Sequence, residues 1–163
     1  MLNRESQKSL NPRHPATANR RFNQLWSRYK NFGFVWERFD SLIGEGRLRS
    51  SIEVYNELER KDDELFKWCK DRKEKMFVEL DEGTQIHVTR IMKDYPRLVD
   101  TVKGRSGADP FVIALAATTN PSMVVVTEES PGKTRIPDVC SAESIEYCGL
   151  ADMIEREDWK FGK

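Results

Sequence analysis

Few cysteines, few histidines and no long apolar run set the first limits on this chain. The three cysteines, Cys69, Cys140 and Cys148, are odd in number and form no C-x-x-C. That argues against a disulfide framework and for a reducing compartment. The two histidines lie apart, His14 in a polar tail and His87 in a helix-like segment, so a Cys/His zinc site is not expected. No stretch approaches the roughly 18 apolar residues of a membrane-spanning helix. The N-terminal residues 1–21 lack the apolar centre of a secretory signal. These absences point to a cytoplasmic protein with no membrane partner. Net charge is absent too, because 27 Lys and Arg balance 27 Asp and Glu. The chain as a whole therefore carries no strong nucleic-acid footprint.

What is present suits one α/β domain. The 163 residues allow one core and leave little room for a second. The balanced charge is unevenly spread. Residues 1–30 hold seven Lys/Arg and one Glu, which leaves 20 basic and 26 acidic side chains for the rest, a net of −6. Residues 1–21 contain Pro12, Pro15, several Asn and Ser and almost nothing apolar, and are read as a disordered basic arm. The domain is expected over residues 22–163. A short helix is expected from Phe22 towards Gly33.

Periodicity outlines the body. Val35, Phe39, Leu42 and Ile43 recur at helical spacing and stop at Gly44 and Gly46. A short strand is expected over 47–51, with Ser50 or Ser51 capping the next helix and Ser50–Glu53 at capping-box spacing. Helices are then expected over 61–76 and 82–93, ending before Pro96. Residues 108–118 form a nearly uncharged helix with Pro110 in its first turn. Val124, Val125 and Val126 read as a buried parallel strand. Pro131, Gly132 and Pro137 suggest a loop, followed by a strand at 145–148 and a helix at 150–157. The alternation points to an α/β layer fold.

The chemistry-bearing residues are acids at element ends. Asp109 opens the apolar helix, and Glu128 and Glu129 follow the valine strand. Parallel sheets bind ligands beyond the carboxyl ends of their strands, and helix N-termini favour carboxylates. Acids gathered there repel one another unless a cation lies between them. Oxygen ligands select a hard ion such as Mg²⁺ or Mn²⁺, which can assist phosphodiester hydrolysis. The same placements also suit helix caps for Asp109, a solvated turn for Glu128 and Glu129, and a solvated helix face for Glu57.

The string Gly107-Ala108-Asp109-Pro110-Phe111-Val112-Ile113-Ala114-Leu115-Ala116 resembles the A-D-x-x-[IL]-[IV]-A-x-A helix of PIN-like domains. Val124-Val125-Val126-Thr127-Glu128-Glu129 resembles the strand that follows it in that family. Ser51-Ile52-Glu53-Val54-Tyr55-Asn56-Glu57-Leu58 resembles the earlier segment with an acidic-Leu pair. Val35-Trp36-Glu37-Arg38-Phe39-Asp40 and Arg135-Ile136-Pro137-Asp138-Val139-Cys140 resemble an uncharacterised bacterial and archaeal branch of the VapC-like toxin superfamily. The resemblance spans residues 34 to 161. It implies a three-layer α/β/α domain with a mainly parallel sheet and a ribonuclease site binding Mg²⁺ or Mn²⁺. Glu57, Asp109 and Glu129 match the second, third and fourth acids of that site and would be its metal ligands. Glu128 is a substitute for the last, and Thr127 matches a hydroxyl residue beside it. An RNA substrate, a cognate antitoxin and a homodimer are implied as partners. One departure stands out: the family opens on an apolar strand ending in L-D-T/S that supplies the first acid. Residues 1–33 contain neither such a strand nor any Asp, so that strand is expected to be missing or replaced. An inactive module that binds a protein or RNA partner is the alternative reading.

Overall fold

Most helices here begin where a short polar side chain takes up a loose backbone N–H. The computed structural model of the chain describes residues 16–18, 30–99 and 107–160. Helix α1 (Gly33–Gly44) buries Val35, Trp36, Phe39, Leu42 and Ile43 along one face. It ends at a turn in which Gly46 takes φ +70°, a conformation that favours glycine. Strand β2 (Leu48–Ser51) follows. Ser51 closes it and accepts a hydrogen bond from Glu53 N at 3.3 Å, starting α2 (Ile52–Glu59). The cap is therefore Ser51, and the expected Ser50–Glu53 spacing is not the one used.

The single helix expected over 61–76 is two, α3 (Glu64–Lys70) and α4 (Lys73–Met76). A tertiary contact accompanies the break: Arg72 pairs with Asp40 of α1, donates to Trp68 O at 2.8 Å and lies over the Trp68 ring. Strand β3 (Phe77–Val78) leads to α5 (Glu82–Asp94), whose first turn is capped by Asp81 accepting from Thr84 N at 2.7 Å. After a 3-10 turn at Pro96–Leu98 come α6 (Asp109–Thr118) and β4 (Val124–Val126). Residues read as a loop around Pro137 instead form α7 (Ile136–Ala142). Pro137 is harmless in the first turn, and Asp138 accepts from Arg135 N at 2.8 Å and from Gly132 N at 3.0 Å. Strand β5 (Tyr147–Cys148) and α8 (Leu150–Arg156) complete the described elements.

The sheet holds the largest departure from expectation. Ala16–Ala18 forms a strand, β1, at the centre of a five-stranded parallel sheet ordered β3-β2-β1-β4-β5. Ala16 and Thr17 face Leu48 and Arg49 on one side, and Ala16, Thr17 and Ala18 face Val124, Val125 and Val126 on the other. The expectation of a disordered arm over 1–21 thus fails at 16–18, and of the two expectations for the first strand, missing or replaced, the structure has it replaced. The reason is backbone satisfaction. Both β2 and β4 present polar groups toward that position, and any extended segment that pairs with both is strongly selected. Composition could not show this, because Ala-Thr-Ala carries no apolar run. The remaining residues of the expected arm, and the expected helix after Phe22, lie outside the described residues.

Helix α6 packs against β1, β2 and β4 and, most extensively, against α5. Val112, Ile113, Ala114 and Ala116 are fully buried, and the small alanines let its backbone approach closely. Thr84 and Thr118 join the two helices by a hydroxyl–hydroxyl contact of 2.9 Å. No described helix is long and apolar enough to cross a membrane.

Candidate functional site

Strand order decides where a site can form. The chain steps from β1 outward through β2 and β3, then returns to the other side of β1 for β4 and β5. The direction reverses between β1 and β4, and at such a switch point parallel sheets bind ligands beyond the carboxyl ends of their strands. Thr127, Glu128 and Glu129 leave β4 at that end. Helix α6 packs on β4 and returns to it through a hydrogen bond from Met123 N to Ala116 O of 3.0 Å, so α6 runs back along the sheet. Its first residue, Asp109, therefore stands at the same end. Helix α2 begins at Ser51, at the carboxyl end of β2, and carries Glu57.

One predicted acid reaches the start of the helix that another opens. Glu57 Oε1 accepts a hydrogen bond from Ala108 N at 3.1 Å, across 51 residues of sequence. Its carboxylate thus stands at the residue that precedes Asp109. Asp109 is buried, with 6% of its surface exposed. Gly107 sits within 3.7 Å of the same Glu57 oxygen, measured from where a β-carbon would be. The helix N-terminus lowers the cost of holding a carboxylate here. Glu57 is neither on a solvated face nor alone, which its spacing in α2 could not reveal.

The other predicted residues have different tasks. Glu128 Oε1 accepts from Leu150 N at 2.7 Å and so caps α8. Glu129 Oε2 accepts from Ile136 N at 3.1 Å and caps α7. Thr127, buried, accepts from Glu129 N at 3.2 Å through Oγ1 and shapes the turn between them. Two consecutive glutamates thus receive the first N–H groups of two different helices. The solvated turn suggested by sequence does not describe that arrangement. The missed signal was Asp138 and Asp152, each three residues beyond an extended residue and each accepting its N–H. That pattern marks the starts of α7 and α8.

Among the described residues, no group of three or more His, Cys, Asp or Glu is gathered so that it could hold a metal ion. The expected triad of Glu57, Asp109 and Glu129 is therefore not assembled as a ligand set. The pair Glu57 and Asp109 offers oxygen donors only. That pair suits Mg²⁺ or Mn²⁺, which keep water ligands and complete their shell with substrate phosphate. The cysteines are no part of the site. Burial pushes the Cys69 and Cys140 thiols up to about 12 and the Cys148 thiol up to about 11. His87 lies on α5 beside Arg90, which in turn pairs with Glu143 after α7.

Residues 20–161 match the sequence model of a family described as a domain of unknown function, DUF4411. No curated protein matches the chain.

Proposed function

This chain belongs to the DUF4411 family, and we propose that it is a PIN-like, metal-dependent endoribonuclease that hydrolyses RNA phosphodiesters at Glu57 and Asp109. The observation that carries this reading is the Glu57–Ala108 hydrogen bond, which holds the Glu57 carboxylate at the residue before Asp109, at the start of α6. Glu57 and Asp109 would hold Mg²⁺ or Mn²⁺. When bound, such an ion supplies positive charge against the phosphodiester and promotes ionisation of the attacking water. The protein's own part is positional. Burial and the start of α6 fix Asp109, and the Ala108 N–H orients Glu57. Glu128 and Glu129 keep α8 and α7 docked at the rim. On this reading the helices flank the sheet as a three-layer α/β/α domain. The chain is then the toxin of a toxin–antitoxin pair, acting in the cytoplasm, inhibited by its antitoxin and active as a homodimer.

One observation favours a second reading, an inactive module that binds RNA or a protein. The central strand, Ala16-Thr17-Ala18, carries no carboxylate, and residues 6–36 contain no Asp or Glu. The central strand therefore adds no acid to Glu57 and Asp109. The test is cleavage of labelled RNA by the purified chain with Mg²⁺ or Mn²⁺, beside EDTA, Asp109→Asn and Glu57→Gln. Metal-dependent cutting lost in both variants supports the nuclease. No cutting from a folded chain that still binds RNA or a partner supports the module.

A further inference from the structure

Positive charge is scarce in the C-terminal part of the chain and gathered at one place. Residues 107–155 hold eight Asp and Glu but only two Lys and Arg, Lys133 and Arg135. Both stand in the segment 130–135, which follows Glu129 at the carboxyl end of β4 and leads into α7. That is the end of the sheet where Asp109 opens α6.

The segment is tied down, and its two cations are left uncommitted. Asp138 accepts from Gly132 N at 3.0 Å and from Arg135 N at 2.8 Å, which closes it into a loop. Arg135 folds back over this loop. Its Nη1 donates to Ser130 O at 3.4 Å, and a β-carbon on Gly132 would come within 3.0 Å of its Nε. The adjacent carboxylates are engaged by backbone, Asp138 by those two N–H groups and Glu129 by Ile136 N at 3.1 Å. Lys133 and Arg135 are exposed, and among the described residues neither joins an ion pair. Arg47, Arg72, Arg90 and Arg156, by contrast, each pair with a carboxylate. An RNA strand nearing Asp109 and the paired glutamates meets like charge, so it needs cations at the same end.

We propose that Lys133 and Arg135 are the residues that grip the RNA backbone, each contacting a phosphate beside the acids. The guanidinium suits two parallel hydrogen bonds to phosphate oxygens, and the lysine serves as a point charge. The ligand, RNA, rests on the ribonuclease reading; the loop itself does not.

The test measures binding of fluorescein-labelled oligouridine to the full chain by anisotropy, in EDTA and across a salt series. Each phosphate contact on a single strand contributes about 0.7 to the salt slope, so Lys133→Gln should weaken binding about fivefold at about 0.1 M salt. Lys133→Gln/Arg135→Gln should weaken it about 25-fold and lower the slope by about 1.4. Lys75→Gln, an exposed position just before β3 and so at the opposite end of the sheet, should leave binding unchanged. Lys133 makes no contact that folding needs, so its variant reports on binding even if the double variant melts early. No binding by the wild type, or losses no larger than that of Lys75→Gln, would overturn the proposal. Metal-dependent cleavage is scored separately. Loop-dependent binding without cleavage sinks the nuclease and keeps the loop; cleavage with loop-independent binding does the reverse.

Discussion

Replacing Glu128 tests the assignment of the paired glutamates as caps. Glu128 Oε1 receives Leu150 N at 2.7 Å, and Leu150 is 1% exposed. Glu128→Ala leaves that N–H at a buried helix start without its carboxylate. A charge-assisted hydrogen bond is worth about 1.5–3 kcal/mol, and a lost cap costs about 0.5–2 kcal/mol. These describe one interaction and do not add, so about 2 kcal/mol is expected. For a chain of this size each kcal/mol moves the melting temperature by about 2–4 °C, which gives a fall of about 4–8 °C. Glu128→Gln keeps a carbonyl acceptor and loses only the charge at the helix start, about 0.3–1 kcal/mol or about 0.6–4 °C. Thermal melts followed by circular dichroism separate the two variants. If the alanine variant melts within a degree of the wild type, or glutamine costs as much as alanine, the capping role is wrong. A metal ligand would give the opposite pattern, with glutamine abolishing cutting and leaving the melt unchanged.

Two further outcomes follow from the same geometry. Burial raises the thiols of Cys69, Cys140 and Cys148, so none should react with a thiol reagent at pH 8 until the chain unfolds; rapid labelling of the native protein would contradict their buried positions. Hydrogen bonding to Arg90, against the opposing effect of burial, holds the Glu143 carboxyl below its usual range, and Tyr95 Oη donates to it at 2.8 Å. A carboxylate lowered in the folded state contributes stability that is whole above its unfolded pKa and lost as pH falls through the folded one. Arg90→Gln should therefore flatten the acid limb of the stability curve below about pH 4.5. An acid limb identical to that of the wild type would refute the link.

Much of the body was legible in the linear pattern, for physical reasons. The 3.6-residue spacing of Val35, Phe39, Leu42 and Ile43 marks a helix with one buried face, and the structure has it. Three adjacent valines before an acidic turn mark a strand covered on both faces, as β4 is. Pro110 and Asp109 marked the start of α6. Helix α7 was hidden because Pro131, Gly132 and Pro137 signal a turn equally well, and only the Asp138 hydrogen bonds distinguish the two. The break between α3 and α4 was hidden because Arg72 answers to Asp40, 32 residues away.

The sequence alone determined which residues are apolar, where helices can start and which acids exist. Those are local properties, set by side-chain chemistry within a few turns of the chain. Tertiary structure decided what each acid reaches. Glu57 reaches Asp109's helix only because β2 and β4 lie on either side of the same central strand. Glu128 and Glu129, adjacent in sequence, part to serve two helices because their strand ends between the starts of both. Ala-Thr-Ala forms that central strand because backbone hydrogen bonding on two sides, a non-local demand, outweighs the weak strand preference of its residues.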